Sequence, residues 1–591
     1  MTAQPPLPAP APAPVSAPAI GIVGLGSVGE ALLLLLHGAG HRVVGVDTDP
    51  AVLARVGRRA GAAGPAGAPG PVLTDDHALL RETGLVVEAV PEDRAVKAEA
   101  LRRITGVCPP GTPLITTTVS APLARLAIAS GRPADLAGLR LFTPPSAGSP
   151  VEPVHTALTS AGTAAALELL LDAAGLTAVE VGTQPAADAT ALVLGLLNRA
   201  AALYDEGYVP HHAVDTAMRL GCGLPAGPLE TLDRIGLDTA HAALSDLWQR
   251  TGDRSFAPAP VLGRMIAEGR PGRKAGRGFY SYDETGTLLP EHTGVPDETT
   301  ARPVHRVGVV GSGAMARGIA EVTASAGHPT VLVARSAGKA RGALDGIADS
   351  LTRGVRRGKV TPAARDEALA VLEGTADLGA LARCDLVIEA VAEDPDVKRE
   401  MFTALGEVCA PGTVLATTTS SLSVAACAEA SGRPADVVGL HFFNPAPVMR
   451  LVEIVHAPAT APATLATARA FCRGLRKTAV ECPDRTGFIV NSLLFPYLGA
   501  ALALLDRPGA DDRVVERTDT AVQHGFGYPM GPFALLDTIG LDVSLAIQNR
   551  LYERFPTPDY LPSQALSELV AADLLGRKNR QGLRTASLPA R

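Results

Sequence analysis

The stretch "IGIVGLGSVGEALLLLLHGAGHRVVGVD", residues 20–47, decides the fold of the first half of the chain. An apolar run leads into the spacing GxGxxG, and a helical run then leads into a second apolar run that ends at Asp47. This order of strand, glycine turn, helix, strand and acidic residue is typical of a dinucleotide-binding unit, because Gly24, Gly26 and Gly29 let the backbone approach a pyrophosphate at the helix N-terminus.

A second copy of this unit follows in the same chain. "GSGAMA" at residues 311–316 matches "GLGSVG" at 24–29, and "VIEAVAEDPDVK" at 387–398 matches "VVEAVPEDRAVK" at 86–97. Further matches continue at a nearly constant offset to the end of both copies, so the copies are collinear. The offset grows from 287 to 301 between these two motifs, which means that the first copy is 14 residues shorter there and lacks a helical excursion.

Within each copy, apolar strands alternate with helical segments up to about Gln184 or Pro483, and helical periodicity dominates afterwards. Such alternation indicates a parallel sheet covered by helices on both faces. The predicted fold class is therefore α/β, with two tandem copies of a Rossmann-like dinucleotide-binding domain, each followed by an all-helical domain. The predicted segments are a disordered Pro/Ala tail (1–18), a degenerate Rossmann-like domain (19–183), its helical domain (184–283), a linker (284–305), a catalytic Rossmann-like domain (306–483) and a second helical domain (484–591).

The composition indicates which classes of partner and which cellular location are expected. The net charge of −7 shows no basic excess that would favour a nucleic acid. The seven cysteines are scattered without a CxxC motif, which favours a reduced cytoplasmic protein without a metal site. No run of about 18 apolar residues is present to span a bilayer, and the longest candidate is "ALLLLLHGAG" at 31–40. We therefore expect a soluble cytoplasmic protein that binds neither nucleic acid nor membranes.

The motifs of the second copy resemble those of the 3-hydroxyacyl-CoA dehydrogenase family, especially its bacterial 3-hydroxybutyryl-CoA dehydrogenases. The matching motifs, within residues 306–582, are "GSGAMARGIAEV", "EAVAEDPDVKREMF", "TTTSSL", "GLHFFNPAPVMRLVEIV", "GFIVNSLLFPY" and "GYPMGPFALLDTIGLD". The first copy resembles the same family more weakly, through its glycines, "VVEAVPED", "GLPAGPLETLDRIGLD" and "GRKAGRGFYSYD". The resemblance implies an oxidoreductase that uses NAD or NADP and acts on an acyl-CoA substrate.

The resemblance also implies a catalytic group. His441, at the end of a predicted strand, would accept the proton of a 3-hydroxyl group. Glu453 would hold the imidazole of His441 in the required tautomer. Ser420 and Asn491 are expected to bond the substrate oxygen, with Asn444 nearby. Ser420 and Asn444 also allow a purely structural interpretation, since an asparagine before a proline is a common turn former.

The cofactor site is expected at the second glycine turn. Ala334 and Arg335 stand where the first copy has Asp47 and its neighbour, and a guanidinium in place of a carboxylate favours a 2′-phosphate. The alternative is an exposed arginine that precedes a helix, so NAD and NADP both stay open. The predicted cofactor contacts are Gly311, Gly313, Ala316, Arg335, Glu393 and Lys398.

The first copy differs at the positions that would carry the reaction. A guanidinium, with a pKa above about 12, cannot act as a general base near neutral pH, so we expect this copy to be catalytically silent. Its glycines and Asp47, Glu92 and Lys97 remain, so it either binds a dinucleotide in a regulatory role or only keeps the fold. The replacements, 301 residues earlier, are Arg140 for His441, Val119 for Ser420, Thr143 for Asn444 and Thr190 for Asn491, while Glu152 keeps the carboxylate of Glu453.

The expected activity is the interconversion of a (S)-3-hydroxyacyl-CoA, in particular short-chain 3-hydroxybutyryl-CoA, and the 3-oxoacyl-CoA. Two alternatives stay open. The first is another β-hydroxyacid dehydrogenase with a catalytic lysine, although "GFIVN" has no lysine there. The second is a non-catalytic nucleotide-binding scaffold. The helical domains are expected to pair either within the chain, as a pseudo-dimer, or between chains, as a homo-oligomer.

Overall fold

A computed structural model describes residues 18–64, 69–118, 123–141, 143–179, 182–291, 298–507 and 513–584. The expected disordered tail lies outside these ranges except for Pro18, and Val119 also lies outside them. Each copy folds into an eight-stranded α/β sheet that is followed by a group of helices. The predicted fold class is therefore confirmed.

In the first copy the sheet is built before residue 180 and the helical domain follows it. The strands are β1 (Ala19–Val23), β2 (Val43–Val46), β3 (Val72–Thr74), β4 (Thr83–Glu88), β5 (Leu114–Thr116), β6 (Leu136–Arg140), β7 (Pro150–Val154) and β8 (Thr177–Ala178). The helices are α1 (Ser27–Gly38), α2 (Pro50–Ala63), α3 (Arg94–Val107), α4 (Leu123–Ala129), α5 (Ala161–Ala174), α6 (Thr183–Asp205), α7 (His211–Cys222), α8 (Pro228–Ile235), α9 (Leu237–Thr251) and α10 (Pro260–Ala267).

The second copy repeats this order. Its strands are β9 (Val307–Val310), β10 (Thr330–Val333), β11 (Leu372–Thr375), β12 (Leu386–Glu389), β13 (Val414–Thr417), β14 (Val437–Phe442), β15 (Leu451–His456) and β16 (Thr478–Pro483). Its helices are α11 (Ala314–Ser325), α12 (Ala337–Arg356), α13 (Pro362–Ala370), α14 (Pro395–Val408), α15 (Val424–Ala430), α16 (Pro462–Gly474), α17 (Val490–Leu502), α18 (Val514–Phe526), α19 (Pro532–Ile539), α20 (Leu541–Arg554) and α21 (Gln564–Ala571).

The two sheets share one strand order, β3-β2-β1-β4-β5-β6-β7-β8 in the first copy and β11-β10-β9-β12-β13-β14-β15-β16 in the second. Six strands of each sheet are parallel, as expected. The last two are not, because β7 pairs antiparallel with β6 and β15 pairs antiparallel with β14. The predicted parallel sheet is thus confirmed for six strands, and the last two run in the opposite direction because only a short loop separates β6 from β7 and β14 from β15, whereas a parallel pair needs a longer crossover.

The helical excursion of the second copy is present as expected. Helices α12 and α13 fill the connection between β10 and β11, where the first copy has the single helix α2 between β2 and β3. The basic segment 353–359 lies at the end of α12 and in the turn that follows it.

Helices of the two copies pack against one another. Helix α6 contacts α17 and α18, and α7 contacts α17 together with strands β15 and β16 of the second sheet. Arg199 of α6 donates to the Ser492 carbonyl at 3.0 Å and pairs with Asp559 at 2.7 Å. Within the described residues one helix, Ala186–Asp205 in α6, has the length and mean hydropathy of a membrane span, and 67% of its apolar window is buried inside the protein.

In each helical domain a buried aspartate accepts hydrogen bonds from backbone amides of a later segment. Asp233 accepts from the amides of Phe279 and Tyr280, both at 2.9 Å. Asp537 accepts in the same way from the amides of Leu583 and Arg584, at 2.9 and 3.2 Å. Residues 583–584 of the second copy are thus held by the same backbone hydrogen bonds as residues 279–280 of the first, although the second copy has no tyrosine at these positions.

Gly311→Ala is expected to destabilise the protein. Gly311 has a φ of +132°, and a Cβ there would lie 2.4 Å from the Ala390 carbonyl oxygen. The strain corresponds to a loss of about 1–3 kcal/mol in the free energy of unfolding, before the steric overlap is counted. Gly313→Ala is the matched control, since no atom lies within 4 Å of its Cβ position. Denaturant unfolding measures both, and equal stability of the two variants would contradict this account.

Candidate active site

The second glycine turn leaves an open cradle in front of helix α11. Gly311 is held against Ala390 at the end of β12, Gly313 faces open space, and Ala316 is fully buried behind them. No side chain caps the helix at Gly313, so the first amides of α11 stay available to an anion. These features fit the pyrophosphate of a dinucleotide. Arg335 is exposed directly after β10, one residue before the helix cap Ser336.

His441 and Glu453 stand directly opposite each other on β14 and β15. The Nδ1 atom of His441 lies 2.6 Å from Oε2 of Glu453. The other carboxylate oxygen, Oε1, accepts from the amides of Ile489 and Val490, at 3.1 and 3.0 Å, where helix α17 begins. Both side chains are buried, and the Glu453 side chain is 0% exposed. The carboxylate is therefore fully bonded inside the protein, and Nε2 of His441 is left for chemistry.

Two phenylalanines that the sequence analysis did not single out enclose the imidazole. The ring centroids of Phe443 and Phe488 lie 4.6 and 5.5 Å from that of His441. Phe488 has a φ of +48°, in the left-handed region that non-glycine residues rarely adopt. Strained backbone of this kind is concentrated at functional sites. The turn at Phe488 brings its ring to His441 and leads directly into the two amides that bond Glu453.

Asn491 and Ser420 meet beside this pair. The side-chain amide of Asn491, next to Val490 in α17, donates to the Ser420 carbonyl at 3.3 Å. The Ser420 amide in turn donates to Oε1 of Glu393 at 2.8 Å. Four of the predicted residues, His441, Glu453, Ser420 and Asn491, are thus gathered around the start of α17. Asn444 is exposed in the turn after β14 and takes part in none of these bonds.

Glu393 and Lys398 form an ion cluster with Glu389, in which Lys398 and Glu389 are buried and Glu393 is partly exposed. The Lys398 ammonium lies 2.8 Å from Glu389 and 3.4 Å from Glu393, and its side chain is 2% exposed. Burial raises the pKa of Glu393, but Lys398 and the bonds from Thr419 and from two serine amides outweigh burial and hold that pKa below its ordinary value. The ammonium of Lys398 is enclosed by these carboxylates and positions Glu393, and a direct contact of Lys398 with a cofactor stays a prediction.

The first copy keeps the strand register of the catalytic pair but has an arginine in place of the histidine. Arg140 stands opposite Glu152 on β6 and β7, and the two form a buried ion pair. Glu152 accepts from the Gly182 amide at 2.6 Å, where helix α6 begins. Thr190 bonds the Ala186 carbonyl of its own helix at 2.8 Å. Thr143 is partly exposed. A fixed cation thus occupies the position of the base.

A cavity of about 950 Å³ lies at the first glycine turn, lined by Gly24, Gly26 and Asp47 and by Arg273 of the helical domain. Asp47 is already engaged, since it accepts from the Leu25 amide at 2.7 Å and from the Asp49 amide at 3.0 Å. The cleft of the silent copy is therefore roomy enough for a nucleotide, while its acidic residue is held against the glycine turn.

A Rossmann-type sheet with an uncapped helix at its glycine turn defines a dinucleotide-binding class of protein. The family model "3-hydroxyacyl-CoA dehydrogenase, NAD binding domain" matches residues 70–184 and 306–485. The model "3-hydroxyacyl-CoA dehydrogenase, C-terminal domain" matches residues 189–282 and 487–586. The chain belongs to the 3-hydroxyacyl-CoA dehydrogenase family, with both domains present twice.

Curated relatives match one copy's length of this chain. The 3-hydroxybutyryl-CoA dehydrogenase of Mycobacterium tuberculosis is 43% identical over 284 residues, 48% of this chain and 98% of the relative. The mitochondrial hydroxyacyl-coenzyme A dehydrogenase of Rattus norvegicus is 40% identical over 287 residues, 47% of this chain and 90% of the relative. A solved (S)-3-hydroxybutyryl-CoA dehydrogenase from Ralstonia eutropha is 34% identical, covers 48% of this chain and 98% of its own, and gives a TM-score of 0.45.

Glu453→Gln is expected to abolish most activity while the fold is retained. A glutamine keeps an oxygen for the amides at the start of α17 but presents an N–H group to Nδ1 of His441, so the imidazole is held in the wrong tautomer. The expected loss in kcat is about 10³- to 10⁴-fold, as for a comparable acid–histidine pair. Steady-state kinetics and thermal unfolding provide the measurement.

Glu152→Gln in the first copy is the matched control, and we expect it to lower stability while leaving activity unchanged. It leaves the buried Arg140 without its carboxylate, so we expect the free energy of unfolding to fall by about 3 kcal/mol or more. The kcat of the folded protein should stay at the wild-type level. Similar losses of activity in the two variants would contradict the assignment of catalysis to the second copy.

Proposed function

We propose that the second copy interconverts a (S)-3-hydroxyacyl-CoA and the corresponding 3-oxoacyl-CoA by hydride transfer with a nicotinamide dinucleotide. A short-chain substrate, 3-hydroxybutyryl-CoA, is favoured by the similarity to the 3-hydroxybutyryl-CoA dehydrogenases of Mycobacterium tuberculosis and Clostridioides difficile. The single observation that supports the proposal most is the buried His441–Glu453 pair, in which one imidazole nitrogen is fixed and the other is left as an acceptor.

His441 acts as the base in the oxidative direction. Because Nδ1 donates its proton to Glu453, Nε2 carries a lone pair and accepts the proton of the substrate 3-hydroxyl. The C3–H bond breaks with its electron pair as the C3=O bond forms. When bound, the dinucleotide supplies the acceptor of that hydride, or its donor in the reverse direction. Glu453 stabilises the imidazolium that results, and Asn491 holds the Ser420 segment beside the substrate oxygen.

Cofactor contacts are proposed for the cradle at Gly311, Gly313 and Ala316, because the Cβ position of Gly313 faces open space at the uncapped start of α11. Glu393 holds the segment at Ser420 through its amide bonds. Arg335 supports NADP as an alternative to NAD, since it is exposed beside the expected ribose position and no carboxylate stands in place of Asp47. Asn444 is proposed as a residue of the entrance to the site.

The contacts between α6, α17 and α18 support a pseudo-dimer within one chain rather than pairing between chains. The seven free cysteines support a reducing compartment, for which we propose the cytoplasm.

The two rival functions are less well supported. No lysine stands at the start of α17, which disfavours a lysine-dependent β-hydroxyacid dehydrogenase. A scaffold that only binds nucleotide would not need a bonded His–Glu pair.

The proposal is tested by following the absorbance of reduced nicotinamide with acetoacetyl-CoA, with NADH and NADPH compared on the wild type, His441→Ala and Arg335→Ala. We expect a robust wild-type rate that falls by about 10³-fold or more in His441→Ala, because the base is lost. If Arg335 binds a 2′-phosphate, Arg335→Ala raises KM for NADPH only. Folded wild-type protein without turnover across several acyl lengths would refute the proposal in favour of the scaffold.

A further inference from the structure

Helix α7 of the silent copy ends against the catalytic pair of the active copy. It packs on β15, which carries Glu453, on β16, and on the start of α17, whose amides bond Glu453. Helix α18, at the corresponding position of the second copy, packs on β7 of the first sheet. A helix of each copy thus packs against the sheet region that carries the residue pair of the other copy. These pairs are His441–Glu453 in the second copy and Arg140–Glu152 in the first, and only the former contains a histidine.

A close approach is made by Gly221 in the last turn of α7. A Cβ there would lie 3.0 Å from side-chain atoms of Leu451 and Val490 and 3.4 Å from the ring of Phe443. Each of these neighbours has a defined part in the site. Val490 donates its amide to Glu453, Phe443 stacks on His441, and Leu451 is the first residue of β15. A glycine at this position lets α7 lie directly on all three.

Two further residues of the first copy, Tyr208 and Cys222, lie near enough to Glu453 to feel its charge. The hydroxyl of Tyr208 donates to the Pro483 carbonyl, at the end of β16, at 2.8 Å. Burial, and after it the negative charge of Glu453, raise the pKa of the Cys222 thiol to about 12, so this residue is a neutral neighbour of the carboxylate. Arg485, at the turn before α17, pairs with Glu206 at 2.5 Å and lies over the Tyr208 ring at 5.2 Å.

We propose that the silent copy positions the catalytic pair of the active copy, through the end of α7 and through Tyr208. This inference deepens the proposed function, on which it rests. The physical cause is water exclusion and fixed geometry: with α7 in place, Glu453 is fully buried, and a charge interaction in a dry site is several times stronger than in water. Gly221, Tyr208 and Cys222 act through Glu453 and α17, so they are positioning residues.

The test inserts a side chain at the contact in the full-length protein. Gly221→Val pushes on Val490 and Phe443, and we expect kcat to fall by about 10- to 100-fold, because a displacement of about 1 Å at reacting groups has an effect of this size. KM for NADH should not change, since the glycine turn is not touched. Gly525→Val, the same change 304 residues later in α18, is the matched control: this glycine is also buried, but α18 packs on β7 of the first sheet, so kcat of the folded variant should stay within about twofold of the wild type.

A double-mutant cycle distinguishes positioning from general destabilisation. If Gly221 acts through Glu453, Gly221→Val should cost far less in a Glu453→Gln background than in the wild type, because residues that act through one another are not additive. Full multiplication of the two effects would overturn the proposal. So would equal losses of kcat in Gly221→Val and Gly525→Val.

Two measurements keep the test decisive if Gly221→Val fails to fold or if acetoacetyl-CoA is not turned over. Tyr208→Phe removes one hydroxyl and should lower kcat by about 2- to 10-fold, which corresponds to the net free energy of one hydrogen bond. The downfield proton resonance of His441 Nδ1–H reports the pair without any substrate. It should shift or broaden in Tyr208→Phe and stay unchanged in Gly525→Val, and an unchanged resonance in Tyr208→Phe would overturn the proposal.

Discussion

The antiparallel register of β14 and β15 is the constraint on which the active site depends. It places His441 directly opposite Glu453, and directly opposed residues in such a pair have Cβ atoms about 5 Å apart. A carboxylate in this position must be satisfied on both oxygens, because a buried charge without partners costs several kcal/mol. The imidazole bonds one oxygen and the first amides of α17 bond the other. The helical domain therefore begins at a point set by the sheet.

The first copy shows that this framework is independent of the chemistry it holds. Arg140 and Glu152 occupy the same register and are buried to a similar degree, with a backbone amide again on the second oxygen. A guanidinium satisfies the carboxylate at least as well as an imidazole does, since it stays charged. The copy therefore remains folded, while the guanidinium at this position cannot exchange a proton near neutral pH as an imidazole can. Fold and reactivity are separable here at a single position.

Local patterns were sufficient to predict the glycine turns, the helical excursion at α12 and α13, and five of the first six strands of each sheet, but not the short strands β3 and β11. The directions of the last two strands of each sheet were not predictable in the same way, since an apolar run has the same composition in either direction. The residues of the pair were found through the family motifs, but the bonds from α17 and the packing of Phe488 depend on contacts between separate segments. The burial of Lys398 was not predictable from the sequence, because a charged residue is usually exposed and the two carboxylates that enclose it, Glu389 and Glu393, are brought to it by the fold.

The mutual covering of the copies, with α7 on the second sheet and α18 on the first, has a consequence for how the molecule behaves in dilute solution. Two separate chains that complete each other's sites come apart as their concentration falls, and activity per chain falls with it. Here the partners are joined by one backbone, so each meets the other at an effective concentration of about millimolar whatever the amount of protein present. The active half therefore keeps its silent counterpart at any dilution, and the ratio between them is fixed by translation.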